Sequence, residues 1–276
     1  QVHRHELSGA LHGLMRVRTF TQDDAHIFML PEQIKDEVIG VVKFIDDVYN
    51  MFGFKYHIEL STRPEDSMGS DEDWEIATDG LRNALEDMGL DYVINEGDGA
   101  FYGPKIDIIM KDALNRQWQM GTVQLDFQLP RNFDITYTDS DGKEKTPVII
   151  HRVIYGSLER FIGILIENFK GAFPFWLSPV QVGIVPINEG HVEYAKEVQE
   201  ALYAERVRCE ADLSENHMNK KIKGFRSYKT PYVVVLGDSE VENKTVAINI
   251  RGGKQLKNIP LDKFIAACKK MNLEKT

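Results

Sequence analysis

Between Ile34 and Phe52 the apolar residues Ile34, Val38, Val41, Ile45, Val48 and Phe52 recur at three- and four-residue steps. That is the spacing of one helix face, so a long amphipathic helix is expected, entered by Pro31 and closed by Gly53. Elsewhere the period drops to two. Residues 2–28 alternate around Gly9 and Gly13 as strand, loop, strand, and "YHIELS" (56–61) alternates as another strand. Ser70 with Asp73 reads as a capping box, opening a helix that turns Trp74, Ala77, Leu81 and Leu85 inward. "AFYGPKIDIIMKD", "QWQMGTVQLDFQL", "FDITYTD" and "TPVIIHRV" read as strands, with a hairpin turn at "DSDGK" (139–143). "GSLERFIGILIENF" (156–169) reads as a helix with an apolar body.

After "GAFPFWLSP" the texture changes. A buried strand "VQVGIVPI" precedes a helix over 190–205, a strand "RVRCEAD" and a basic helix over 215–227. Strands "PYVVVLGD" and "TVAINIRGG" and a final helix over 261–272 follow. The expected fold is therefore α+β over 1–177, an antiparallel sheet flanked by helices. An α/β domain with a mixed sheet is expected over 178–276, with the boundary near Leu177–Pro179.

A chain of 276 residues can bury a sizeable core in one or two domains. Hydrophobic residues at 42% and charged residues at 28% are ordinary globular values. No apolar run approaches a membrane span, and no secretory leader pattern is present. Cys209 and Cys268 are too few for a disulfide framework and fit packing roles, which suits a cytoplasmic protein. A net charge of −10 disfavours indiscriminate nucleic-acid binding but leaves room for a local basic groove. The chain opens at Gln1 and runs straight into a strand-like stretch, so it reads as the back part of a longer protein. No G-x-G-x-x-G or P-loop follows a strand, so a nucleotide would have to be held by side chains.

Six clusters can carry chemistry. Alternation puts Arg4 and Glu6 on one face, and Arg16, Arg18 and Phe20 on one face of the next strand. Arginine forks suit phosphate or carboxylate and an aromatic ring can stack on a base, yet the same pattern makes a plain cross-strand ion-pair ladder. Gln22, Asp24 and His26 share a face and Asp23 points away, which suits a polar pocket, part of a zinc site, or a structural histidine. His151 in "VIIHRV" is either a second metal ligand or a buried imidazole bonded to backbone. In "EGDGAFYGPK" (96–105), Tyr102 and Lys105 offer a hydroxyl and a cation, or an ordinary loop. Arg160 opens the helix of "GSLERF" either toward a ligand or in a helix-end ion pair. "NKKIKGFRSYK" (219–229) has five positive charges with Phe225 and Tyr228 interleaved, a phosphate-tracking patch or a solvated helix face.

Together, "VHRHELSGALHGLMRVRTFTQDDAHIF", "STRPEDSMGSDEDW", "EGDGAFYGPKID", "GTVQLDFQLP", "IHRVIYGSLERFIGILIE" and "GAFPFWLSPVQV" resemble the bacterial-type threonyl-tRNA synthetases, in that family's order. These are class II aminoacyl-tRNA synthetases, and the likeness covers essentially the whole chain. "RHE" through Phe20 looks like motif 2 and "GSLERF" like motif 3. The resemblance implies a class II catalytic core over 1–177 and an anticodon-binding domain over 178–276. It implies ATP-dependent activation of L-threonine and its transfer to tRNA(Thr), in a cytoplasmic homodimer.

By that likeness Arg4 would hold the α-phosphate and the threonine carboxylate, Glu6 the adenine edge, and Arg16 the far phosphates. Phe20 and Arg160 would sandwich the adenine. Gln22, Asp24 and Tyr102 would complete the amino-acid pocket, with Lys105 and Gln119 nearby and Mg²⁺ accompanying ATP. His26 and His151 would be two of three Zn²⁺ ligands, the third being a cysteine absent from this chain. Glu240 would contact an anticodon base. Asn249 stands where many relatives carry arginine, so Arg251, two residues on, is the candidate for the second contact. The likeness also implies that motif 1 and any editing domain lie outside the chain, so that the isolated fragment would hold zinc poorly and be largely inactive. Two other classes compete: a non-enzymatic tRNA-binding relative, and a two-histidine metal hydrolase, for which no general base shares the face.

Overall fold

The computed structural model describes residues 1–276, which divide into two compact units, Gln1–Leu165 and Ile166–Thr276. In the first unit, β1 (Val2–His3) pairs antiparallel with β2 (Thr19–Phe20). Next come β3 (Ala25–Met29), α1 (Ile34–Phe52), β4 (Tyr56–Ser61), α2 (Asp71–Asp87) and β5 (Tyr92–Asn95). β6 (Lys105–Lys111), β7 (Gln117–Asp126) and the short α3 (Gln128–Asn132) follow. The hairpin β8 (Tyr137–Thr138) and β9 (Glu144–Lys145), then β10 (Val148–Val153) and α4 (Leu158–Asn168), complete the series. One six-stranded sheet runs in the order β3-β10-β7-β6-β4-β5 and is antiparallel except for β4–β5.

The expected helices form for the expected reasons. α1 buries Ile34, Val38, Val41, Ile45 and Val48, and Gly53 ends it at φ 68°. Ser70 and Asp73 close a reciprocal capping box on α2. α1 and α2 pack on one another and on β10, β7 and β6. Along β7, Val123 and Leu125 are fully buried, and Leu125 faces α2 at Gly80. Thr122, Gln124 and Asp126 therefore point to the opposite face. That face carries the site.

The second unit holds β11 (Val182–Pro186), α5 (Val192–Ala204), β12 (Cys209–Ala211), α6 (Met218–Ser227) and β13 (Tyr232–Leu236). It ends with α7 (Asp238–Asn243), β14 (Thr245–Ile250), β15 (Gln255–Pro260) and α8 (Leu261–Glu274). Its sheet, β12-β11-β13-β14-β15, is parallel over the first three strands and antiparallel beyond. Residues of α5 and α8 pack one face, and Met218, Ile222 and Phe225 of α6 pack the other. The units divide earlier than Leu177–Pro179. Phe175 belongs to the second core, and the Gln181 side chain donates to its carbonyl at 2.9 Å.

Three differences from the sequence reading stand out. "FDITYTD" contributes only the two residues of β8. β5, α7 and β15 arise where no element was expected. Phe225 does not interleave with surface charge; its ring packs against Gly183, whose added Cβ would lie 2.5 Å from it.

Candidate active site

A cavity of about 470 Å³ opens on the free face of the first sheet. Its lining brings together Arg4, Glu6, Arg16, Phe20, Gln22, Asp24, Tyr102, Lys105, Gln119, His151 and Arg160, residues drawn from across the first unit.

One wall is basic. The backbone N–H of Arg4 donates to the Arg18 carbonyl at 2.8 Å, extending the β1–β2 ladder by one step. The Arg4 guanidinium lies 5.3 Å from the centre of the Phe20 ring. Arg16 Nε donates to Glu6 Oε2 at 3.0 Å, so the ion-pair ladder and the pocket are one structure. Arg18 is separated from them: it donates to the Glu6 carbonyl at 3.0 Å and does not line the cavity. Arg160, in the first turn of α4, donates to the carbonyls of Met15 (2.8 Å) and Gln119 (2.9 Å) and sits 5.0 Å over Trp118. Burial lowers its pKa, and the like charges of Arg16 and Arg4 add to this. Three arginines facing one volume create a potential that an anion would relieve. The turn leading into α4 is fixed by Gly156, whose φ is 68° and whose added Cβ would lie 2.5 Å from the Met120 carbonyl.

The opposite wall is polar. Tyr102 donates to Gln124 Oε1 at 2.7 Å. Burial raises the Tyr102 pKa, and the carboxylates of Asp126 and Asp24 push it the same way. Lys105 Nζ donates to Asp107 at 2.6 Å and to Asp98 at 3.2 Å. Burial alone would lower its pKa, but those two carboxylates outweigh it and raise it. Gln119 Nε2 donates to Asp107 and, at 2.9 Å, to Thr122 Oγ1. Asp23 faces away from Asp24 and accepts from the backbone N–H groups of Ile154 (2.8 Å) and Tyr155 (3.0 Å), tying down the β10–α4 turn.

His26 and His151 are direct cross-strand partners on β3 and β10, with ring centroids 4.5 Å apart and edge-on. His151 lines the cavity and His26 stands beside it, outside the lining. His151 Nε2 contacts the fully buried Asp126 carboxylate at 2.9 Å. A carboxylate behind an imidazole is a common support for a metal-binding histidine. The pair fits two positions of a zinc site, but nowhere in the structure are three His, Cys, Asp or Glu side chains arranged so that together they could hold a metal ion.

Thr122, Gln124, Asp107 and Asp126 were missed as members of this site. For Thr122 and Gln124 the signal was present in "GTVQLDF", where polar residues take every second position of a strand whose other residues are apolar; Asp107, in β6, lies outside that segment.

In the second unit, Lys223 and Arg226 of α6 line a groove of about 660 Å³ with Asn249, Gln255 and Lys257. Arg226 and Asn249 also line an adjoining cavity of about 400 Å³ with Lys229 and Arg251. Lys221 is not part of this basic surface, being buried and donating to the Pro186 carbonyl at 3.3 Å. Arg251 donates to the carbonyls of Lys229 (2.7 Å) and Phe173 (2.8 Å), so its guanidinium also clamps the chain. Glu240 accepts from the Gly237 N–H at 3.0 Å and caps α7.

A six-stranded, largely antiparallel sheet with this cavity, joined to a small mixed-sheet domain, is the architecture of a class II aminoacyl-tRNA synthetase. The family described as tRNA synthetase class II core domain (G, H, P, S and T) matches residues 1–169, and an anticodon-binding domain matches 181–271. The chain is 60% identical over 264 residues to a threonine–tRNA ligase of Acetivibrio thermocellus, covering 96% of this chain and 42% of that protein. It is 58% identical over 275 residues to a threonine–tRNA ligase of Clostridium novyi, covering 100% and 43%. The chain thus spans less than half the length of these relatives. The solved RNA-binding domain of threonyl-tRNA synthetase from Cryptosporidium parvum superposes with a TM-score of 0.91 at 44% identity, covering 98% of this chain and 68% of that one. The chain belongs to the threonyl-tRNA synthetase family.

Proposed function

We propose that this chain supplies the adenylate-forming and anticodon-reading parts of a threonine–tRNA ligase. That enzyme activates L-threonine with ATP to give threonyl-adenylate and passes the threonyl group to tRNA(Thr). The observation that carries the reading is a single cavity uniting Arg4, Arg16, Arg160 and Lys105 with Gln22, Asp24 and Tyr102. A threonine carboxylate oxygen attacks the α-phosphorus, and pyrophosphate leaves. The step needs alignment and charge neutralisation rather than a protein nucleophile. In this reading Arg4 bridges the carboxylate and the α-phosphate, and Arg16 holds the outer phosphates with the Mg²⁺ that accompanies ATP. Glu6 meets the adenine edge, while Phe20 and Arg160 flank the ring. Lys105 and Gln119 stand on the opposite wall.

His26 and His151 would hold Zn²⁺ with a third ligand from outside these residues. When bound, zinc would engage the amino group and hydroxyl of threonine, which isosteric valine cannot match. Gln22, Asp24 and Tyr102 shape the space around that amino acid. Glu240 and Arg251 are the proposed anticodon contacts, and the whole protein is proposed to act as a cytoplasmic homodimer. No helix is long and apolar enough to cross a membrane.

The test is threonine-dependent ATP–pyrophosphate exchange by the complete gene product. Exchange with threonine and not with valine is expected; no exchange with any amino acid would favour a non-enzymatic tRNA-binding relative.

A further inference from the structure

Asp107 lies in β6, 2% exposed, and four side chains from three strands donate to it. Ser61 of β4 and Lys105 of β6 reach Oδ2 at 3.0 and 2.6 Å. Gln119 and Thr122 of β7 reach Oδ1, the latter at 3.0 Å. Three of the four donors, Lys105, Gln119 and Thr122, line the cavity, whereas Asp107 itself does not.

This arrangement fixes more than position. With both oxygens already accepting, Asp107 leaves Gln119 one workable orientation, amide nitrogen inward. Gln119 Nε2 also donates to Thr122 Oγ1, whose own proton goes to Asp107. The polarity of this chain therefore runs one way, and Gln119 Oε1 is the atom left to accept from a ligand. Lys105 is held by the same carboxylate on one side and by the more exposed Asp98 on the other. A ligand anion can displace Asp98 at little cost while Asp107 keeps the ammonium in place.

We propose that Asp107 is a positioning residue of this site, aiming the Lys105 ammonium and the Gln119 carbonyl oxygen at the substrate before it binds. The inference rests on the ligase reading above. Pre-set dipoles and charges contribute most when nothing must reorganise during the reaction, and buried supporting partners supply that rigidity. Asn at this position would match the carboxylate in shape but present an N–H to donors.

The experiment is threonine-dependent ATP–pyrophosphate exchange by the complete gene product, with Asp107→Asn made in the wild-type and Lys105→Ala backgrounds. In the wild type, D107N is expected to lower kcat about 10- to 100-fold. With Lys105 already removed, the same change is expected to cost at least about fivefold less, because Asp107 acts through that lysine. An equal cost in both backgrounds would reduce Asp107 to a packing role and overturn the proposal, as would a D107N enzyme within twofold of wild type. If D107N does not fold, Ser61→Ala serves instead. It removes a donor that does not line the cavity, and a fall in kcat of about threefold or more is expected; unchanged kcat overturns the proposal. Absence of exchange in the wild-type protein would instead overturn the ligase reading itself.

Discussion

Arg160 is the side chain on which the basic wall turns. Its guanidinium is fixed by two backbone carbonyls and lies over Trp118, while its charged neighbours Arg16 and Arg4 repel it. The wall thus holds a cation whose charge is left for a ligand. Lysine keeps the charge but has neither the planar fork that meets two carbonyls nor the flat face that stacks. Arg160→Lys is therefore expected to lower kcat/KM for ATP by about 10²-fold, corresponding to about 3 kcal/mol of transition-state stabilisation. Exchange kinetics check this, and a variant within threefold of wild type would remove Arg160 from the mechanism. Most of the cationic wall was legible in the sequence because closely spaced arginines are conspicuous, although only Val2–His3 and Thr19–Phe20 of that stretch form strand. The supports behind it were not. Asp107 and Asp126 act from buried strand positions, and a carboxylate among apolar residues reveals its partners only once neighbouring strands are in register. Arg251 shows the converse: its charge was conspicuous, yet its two carbonyl contacts come from segments distant in sequence.

The link between β6 and β7 shows how a single turn makes the stability of the fold depend on pH. Asp112 accepts from the N–H groups of Leu114 and Arg116, from Arg116 Nε and from Trp118 Nε1. Burial alone would raise its pKa, but the bonds from Trp118, Arg116 and Leu114 prevail and lower it to about 2. An unfolded aspartate titrates at about 3.9. The stability that Asp112 contributes is thus fully present above about pH 4 and is lost as pH falls through about 2. Denaturant unfolding of wild type and Asp112→Asn between pH 5 and pH 2 checks this. The gap between the two proteins should close on acidification, and a constant gap would show that the charge of Asp112 contributes nothing. The same level explains which elements the sequence revealed. α1 and α2 bury one continuous stripe, so their period survives in the letters. β5 and β15 are edge strands; Val93 and Ile94 stand exposed on one, and the other has no buried residue. An edge strand that buries no alternating face forms through backbone pairing with a neighbour, which leaves little trace in the side chains.

Charge is unevenly divided between the two units. The first carries all of the excess acid, and the second has more lysine and arginine than aspartate and glutamate. An acidic chain can therefore present a basic groove, and in the second unit that groove forms where Lys223, Arg226 and Lys257 converge. Phosphate contacts of this kind bind through counterion release, so affinity falls steeply with salt, by about 0.7–0.9 of a log unit per log unit of salt for each neutralised phosphate. Affinity for an anticodon stem-loop of tRNA(Thr) is accordingly expected to fall linearly on a log–log plot against salt. Arg226→Ala is expected to weaken binding and to reduce the slope by about one. Because the second unit has its own core, from Phe175 to Cys268, the measurement can be made on residues 166–276 as well as on the whole chain. Glu240→Ala removes an acid, so it should leave the salt slope unchanged and act, if it reads a base, only on stem-loops carrying the cognate anticodon. A salt-independent affinity, or equal loss of cognate and non-cognate binding in the Glu240 variant, would detach anticodon reading from this face of the fold.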